Sequence, residues 1–250
     1  MIEALGTNGG MDPEEGTTSF LINESILLDA GSGLERLPLK KQRKIRTVLI
    51  SHSHLDHHGS LAYLVNNLVS ENFEQIEVLS TLETITALKK HIYNDVIWPD
   101  FTKIPDQKKP ILKFKAVSCN ETIQRYGVQF QLLEVNHSVP AVGFWVNYLD
   151  SNYSLAFSGD CFTNNIFWQS LNALPQVSDL IVDCQYLNSE YRIANLAKHY
   201  YPKALADDLK KLSYTPRILL THIPKSRREQ VLSEVFTALP NHEVSLFNDY

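Results

Sequence analysis

The sequence predicts an α/β domain, on three observations. Short apolar runs of β type are mixed with helical-looking stretches along the chain, the pattern of sheets covered by helices. Of the 250 residues 44% are apolar, which supplies a substantial core. The side chains with most chemistry stand just past the ends of the apolar runs, where loops carried on rigid strands build sites.

In chain order, strands are expected at Ile2 to Leu5, Ser19 to Ile22 and Ile26 to Leu28, the last running into Asp29-Ala30-Gly31. Val48 to Ile50 follows, then a helix from Leu61 to Val69 beginning after Gly59. A strand at Ile76 to Leu79 precedes a helix at Leu82 to His91, and Ile111 to Val117 is again strand. Val128 to Val135 delivers Asn136-His137-Ser138, and Tyr153 to Ser158 delivers Gly159-Asp160. Leu180 to Val182 and Arg217 to Leu220 are strands, the second leading into Thr221-His222. Helices at Lys203 to Leu212 and Arg228 to Thr237, with a strand at Val244 to Phe247, complete the pattern.

Directly after Val48-Leu49-Ile50 the chain reads Ser51-His52-Ser53-His54-Leu55-Asp56-His57-His58-Gly59. If the chain stays extended past Ile50, His52 and His54 point to the same side and both imidazoles reach one ion. Leu55 then turns toward the apolar interior, and Asp56 and His57 face a second ion as the chain turns toward Gly59. Histidine and carboxylate donors without cysteine suit zinc, with manganese or iron as substitutes, better than calcium or magnesium. His137, Asp160 and His222 extend the ligand set. His58, His91 and His242 fall outside it and read as structural or surface residues.

A strand-end Asp, HxHxDH, His, Asp, His, in this order, resembles the metallo-β-lactamase superfamily. The resemblance implies a four-layer αβ/βα sandwich with the site at one edge of its two sheets. It implies two divalent metal ions, one held by His52, His54 and His137, the other by Asp56, His57 and His222, with Asp160 bridging. Asp29 matches the strand-end Asp and would orient the HxHxDH loop; taken alone it also reads as a turn-initiating Asp before Gly31. Some members use cysteine near Cys161, but Asp160 fits the bridging position and Cys161 is left out.

Two further segments narrow the resemblance. His137-Ser138-Val139-Pro140-Ala141-Val142-Gly143 looks like the HxxPxxG of the phosphodiesterase branch, which places a histidine near the scissile phosphate at the position of His199. Tyr200 and Tyr201 stand where small hydroxyl residues are usual there, so a helix-flanking surface histidine is the other reading of His199. Gly6-Thr7-Asn8-Gly9-Gly10, Thr17 to Leu21 and Lys90 to Phe101 look like the class II cyclic-nucleotide phosphodiesterases. The resemblance implies hydrolysis of 3′,5′-cyclic AMP or GMP to 5′-monophosphates by a metal-bridging hydroxide, with Asp56 positioning it and His199 as general acid and substrate contact. Trp98 either walls a base pocket by stacking or anchors its loop.

The rival is a tRNA 3′-processing or other RNA phosphodiesterase. Such nucleases often carry a basic arm between the third and fourth ligand motifs, where this chain has two strands joined by the turn Asp150-Ser151-Asn152. A formal net charge of −5 also favours a small-molecule cyclic nucleotide over nucleic acid. The basic cluster Lys40, Lys41, Arg43, Lys44, Arg46 reads as a solvated loop. Thioester or lactam hydrolysis, and a catalytically dead scaffold, rank lower because the HxxPxxG segment and every expected ligand are intact.

The ligands span His52 to His222 with no Gly/Ser-rich linker or repeat between them, so residues 1–250 are expected to form one domain. No apolar run reaches transmembrane length, no leader is recognised at Met1, and Cys119, Cys161 and Cys184 make an odd, frameless set. A reduced cytoplasmic protein without a membrane partner is expected, and the family analogy adds a homodimer.

Overall fold

The computed structural model describes residues 2–69 and 74–247; Met1, where a leader was sought, lies outside them. The chain groups into two compact units, Met1–Gly6 with Pro13–Ser118 and Thr7–Asp12 with Cys119–Tyr250.

The first unit is built on strands β1 (Ile2–Asn8, whose last two residues are grouped with the second unit), β2 (Gly16–Thr17), β3 (Ser19–Ile22), β4 (Ile26–Leu28), β5 (Thr47–Leu49), β6 (Ile76–Ser80) and β7 (Leu112–Ala116), in sheet order β2-β1-β3-β4-β5-β6-β7. β3 pairs antiparallel with β1 and β4, whereas β4 to β7 are parallel. Parallel neighbours need crossovers, and helices α3 (Leu61–Val69) and α4 (Leu82–His91) supply two of them after the short turns α1 (Leu39–Gln42) and α2 (Leu55–His58). In α3 the buried residues Leu61, Leu64, Val65 and Leu68 fall at i, i+3, i+4 and i+7 and join Leu27, Val48, Ile50 and Val78 of the sheet in one apolar cluster. Thr81 caps α4, its side chain accepting from the Thr84 amide.

The second unit has strands β8 (Ile123–Arg125), β9 (Val128–Glu134), β10 (Val142–Tyr148), β11 (Ser154–Phe157), β12 (Asp179–Asp183), β13 (Arg217–Thr221) and β14 (Val244–Leu246), neighbouring one another in chain order. β8 to β11 form an antiparallel meander and β11 to β14 are parallel. The crossovers carry α5 (Ile166–Ala173), α6 (Tyr191–Ala197), α7 (Pro202–Leu209) and α8 (Arg228–Ala238). Phe167, Trp168, Leu205, Val231 and Val235 of these helices pack on Ala156, Leu180, Val182, Ile218 and Leu220 of the strands. Since β9 and β11 both run antiparallel to β10, and β11, β12 and β13 are parallel, β9, β11, β12 and β13 all end at the same sheet edge. That direction rule is what gathers residues from distant parts of the chain.

A buried carboxylate staples this unit. Asp208 accepts from Trp168 Nε1 at 2.9 Å, Tyr200 OH at 2.7 Å and the Asn164 amide at 3.0 Å, and pairs with Lys211 at 2.7 Å. It thereby fixes Tyr200, the neighbour of His199.

Several expectations are corrected. The basic cluster is solvated as expected, but it is not all loop: α1 covers Leu39–Gln42, and Lys41 pairs with Glu3, Lys44 with Glu24 and Arg46 with Glu74. Leu55 is 67% exposed, because the chain enters a helical turn there and that turn directs His57 and His58 inward instead. β2 and β8, of two and three residues, are too short to show a period, and α5 and α6 mix polar and apolar residues too evenly to stand out. Among the described residues no helix is long and apolar enough to cross a membrane.

Candidate functional site

In the first unit Asp29 and His52 follow adjacent parallel strands, Leu28 being level with Leu49. Asp29 is fully buried, has φ 56°, and its carboxylate organises the histidine loop. Its Oδ1 accepts from the Ser51 amide at 2.7 Å, and its Oδ2 accepts from Ser51 Oγ and His57 Nδ1, each at 2.7 Å. With its own proton given to Asp29, Ser51 Oγ accepts from His52 Nδ1 at 3.0 Å. The network thus sets both tautomers, leaving Nε2 of His52 and of His57 as the lone-pair atoms. The His52 ring lies 4.6 Å from that of His54 and 4.2 Å from that of His57, and Asp56 Oδ2 is 3.6 Å from His57 Nε2. Ala30 donates to the His57 carbonyl at 2.7 Å and accepts from the Ser60 amide at 3.0 Å, so the β4 end clamps the ligand turn.

The second unit brings together His137, Asp160, His199 and His222, and adds Asp183. Gly159, with φ 59°, turns the chain after β11 so that the Asp160 carboxylate lies between two histidines. Asp160 Oδ2 is 3.8 Å from His137 Nε2, and Oδ1 is 3.4 Å from His222 Nδ1. The His137 Nδ1 donates to the Lys198 carbonyl at 3.1 Å, and Lys198 has φ 61° to present it. His222 also has φ 63°, its amide held by the Thr7 carbonyl at 2.7 Å. Among the described residues eight non-glycines have positive φ, and three of them, Asp29, Lys198 and His222, stand at or beside candidate site residues.

His199 is 8% exposed and not the surface histidine that was the alternative reading. Its Nδ1 donates to Asp183 Oδ2 at 2.8 Å, its Nε2 is 4.0 Å from Asp160 Oδ2, and its ring stacks on His222 at 5.2 Å and 7°. Asp183 was missed in the sequence. The signal was there, an acidic residue ending the apolar run Leu180-Ile181-Val182, by the rule that found Asp160.

Trp98 lies in the first unit, against its apolar cluster and edge-on to Tyr63 at 5.2 Å, which suits a loop anchor. Cys161 is fully buried, burial pushes its thiol pKa up, and its amide donates to Asp183 Oδ2 at 3.3 Å. His58 is buried and donates to the Ser53 carbonyl, and burial lowers its pKa.

The donor set fits a divalent transition ion. Ligands bound about 2.0–2.1 Å from a tetrahedral ion stand roughly 3.3–3.5 Å apart, longer than a hydrogen bond, and the Asp160–His222 separation of 3.4 Å falls in that range, with His137 slightly wider at 3.8 Å. Asp183 Oδ1 is buried and accepts no hydrogen bond, which marks a neighbourhood that calls for positive charge. Lone-pair nitrogens backed by a carboxylate, a hydroxyl and a carbonyl are the support metal-ligating histidines use.

A family model described as cAMP phosphodiesterases class-II matches residues 35–147. The 3′,5′-cyclic-nucleotide phosphodiesterase 1 of Saccharomyces cerevisiae is 36% identical over 73 residues, 29% of this chain and 19% of that protein. The endoribonuclease ysh1 of Schizosaccharomyces pombe is 30% identical over 171 residues, 61% of this chain and 22% of that protein. The chain thus spans about a fifth of the length of the curated relatives it matches. Among solved structures, unliganded yeast PDE1 is similar with TM-score 0.82 and 18% identity, covering 98% of this chain and 96% of that one. The metallo-β-lactamase fold protein YhfI of Bacillus subtilis gives TM-score 0.76 and 18% identity, covering 98% and 94%. These likenesses establish the metallo-β-lactamase fold over nearly the whole chain.

Proposed function

We propose, for a chain that has the metallo-β-lactamase fold and resembles the class II cyclic-nucleotide phosphodiesterases, that it is a metal-dependent phosphodiesterase hydrolysing 3′,5′-cyclic AMP or GMP to 5′-monophosphates. The observation that carries the reading is the Asp160 carboxylate, which offers one oxygen beside His137 and the other beside His222. The reading takes residues 1–250 as one catalytic domain. His52, His54 and His137 would hold one divalent ion, Asp56, His57 and His222 the other, and Asp160 both. Zinc is the first choice, with manganese or iron as substitutes.

When bound, two such ions lower the pKa of water and neutralise phosphoryl charge. The remaining steps belong to the chain. Asp29 and Ser51 keep His52 and His57 in the tautomers that present Nε2. Asp56, partly exposed, accepts a hydrogen bond from the attacking water and orients it. His199, oriented by Asp183 at Nδ1, holds at Nε2 the proton that the departing 3′ oxygen takes up. Asp183 stabilises the imidazolium before that transfer. Trp98, packed on its own unit's apolar cluster and edge-on to Tyr63, is read as the anchor of its loop and not as the wall of the base.

A second reading, an RNA phosphodiesterase, is favoured by the similarity to the endoribonuclease. Against it stands the short turn of the β10–β11 hairpin, since these two strands make up most of the chain between His137 and Asp160, where an RNA-gripping arm would be inserted. The test offers the zinc- or manganese-loaded protein bis(p-nitrophenyl) phosphate, precursor tRNA and a β-lactam. Release of p-nitrophenol with the tRNA and lactam intact is expected; cleavage of precursor tRNA in preference to the small diester would overturn the reading in favour of the nuclease.

A further inference from the structure

His199 is the inner end of a wall that continues through side chains the proposed reaction does not use. The Tyr186 ring meets the His199 ring edge-on at 6.0 Å and 60°. Over Tyr186, with its guanidinium carbon 5.8 Å from the ring centroid, lies Arg227. Both residues are tied to the strands that carry the site, Tyr186 shortly after Asp183 and Arg227 shortly after His222.

Arg227 is held rather than free. Its Nη1 donates to Glu190 Oε2 at 2.7 Å, and the same oxygen accepts from the Leu187 amide at 3.1 Å, which fixes the carboxylate. The pair is only partly buried, with side-chain exposures of 38% and 27%. An ion pair so exposed contributes little stability. What it does achieve is orientation: one edge of a guanidinium is occupied by Glu190, one face by an aromatic ring, and the cation is still reachable from solvent.

We propose that Arg227 reads the base of a nucleotide substrate and selects guanine over adenine. The inference rests on the cyclic-nucleotide reading above, since a nucleotide whose phosphate lies beside Asp160 and His199 can extend its base along the Tyr186–Arg227 wall. Arginine has only donors to offer. Guanine presents two acceptors side by side, O6 and N7, whereas adenine presents N7 beside the donor N6. A guanidinium with Nη1 given to Glu190 keeps Nε and Nη2 for such a two-acceptor edge, and having no acceptor it cannot pair with the N6 donor of adenine. Tyr186 covers the apolar flank of the same cation.

Calorimetric titration of the metal-loaded protein with 5′-GMP and 5′-AMP tests this, on the unmodified chain, Arg227→Gln and Arg227→Lys, alongside kcat/KM for cyclic GMP and cyclic AMP. GMP is expected to bind about 5- to 100-fold more tightly than AMP, the worth of one bidentate base contact. Arg227→Gln should bring the two affinities together by weakening GMP alone, and Arg227→Lys, which keeps the charge but not the planar fork, should retain at most part of the preference. Equal affinities in the unmodified chain, or a guanine preference that survives in Arg227→Gln, would overturn the proposal. So would equal losses for both nucleotides restored by lysine, which would assign Arg227 to phosphate charge. A guanine preference in binding without hydrolysis of either cyclic nucleotide would instead sink the phosphodiesterase reading and leave the base contact standing; absence of binding by either nucleotide removes both.

Discussion

A carboxylate outside the proposed ligand set governs the histidine loop. Asp29 fixes Ser51 and, through it and directly, the Nδ1 protons of His52 and His57. Its removal should leave the fold and lower metal affinity by about 10- to 100-fold, the usual cost of losing such a support; competition of Asp29→Ala with a chromophoric chelator measures it. The Asp183–His199 pair yields a prediction about the leaving group. His199→Asn should cut kcat for cyclic AMP by about 10²- to 10⁴-fold, yet scarcely slow bis(p-nitrophenyl) phosphate, whose phenolate leaves unprotonated. Equal losses on both substrates would show that His199 supports the site without delivering a proton. At this scale the sequence was legible where residues fall in one short motif, as His52 to His57 do, or end an apolar strand, as Asp160 and His222 do. Asp183 obeyed the same rule and was passed over because no motif accompanied it.

At the scale of elements, ligand geometry depends on how closely backbone approaches backbone. A Cβ on Gly31 would lie 2.1 Å from the Asp56 carbonyl oxygen and 2.4 Å from Thr17 Oγ1. Gly31→Ala must therefore push the β4 end away from the ligand turn. A stability loss of about 1–3 kcal/mol is expected from this overpacking, together with weaker metal binding; urea denaturation and the chelator competition check the two parts, and an unchanged metal affinity would mean that the turn holds its shape without the clamp. The helices and strands most clearly read in the sequence, such as α3 and β4, have either a clean i, i+3, i+4, i+7 face or a continuous apolar run. Leu55 was misplaced because alternation was extended one residue beyond where the chain turns helical, and hydropathy alone does not say where a strand period gives way to a helical one.

For the whole molecule, the strand order explains why residues far apart in sequence can serve one chemistry, and that order was not readable in advance. Strand directions follow from pairing, and pairing partners leave no local mark, so the common exit edge of β9, β11, β12 and β13 emerges only from the register. The resemblance to a known family carried the fold class where local patterns stopped. The Asp208 staple is equally invisible in sequence, since its partners come from α5, the residues before α7 and a loop. Asp208→Ala should lower unfolding stability by about 3 kcal/mol by orphaning buried donors, with a matching fall in melting temperature. Chelation should likewise lower the melting temperature of the loaded protein, because ions that bind only the folded chain stabilise it by mass action.

Whether the chain is a binuclear cyclic-nucleotide phosphodiesterase is decided by the product formed from 3′,5′-cyclic AMP and cyclic GMP by the zinc- or manganese-loaded protein, resolved by chromatography beside Asp160→Ala with the metal content of both proteins measured. Two ions per chain, 5′-monophosphate as the product, and loss of both the turnover and the full metal complement in the variant are expected. Intact cyclic nucleotide at full metal occupancy, or turnover undiminished in Asp160→Ala, would contradict that reading.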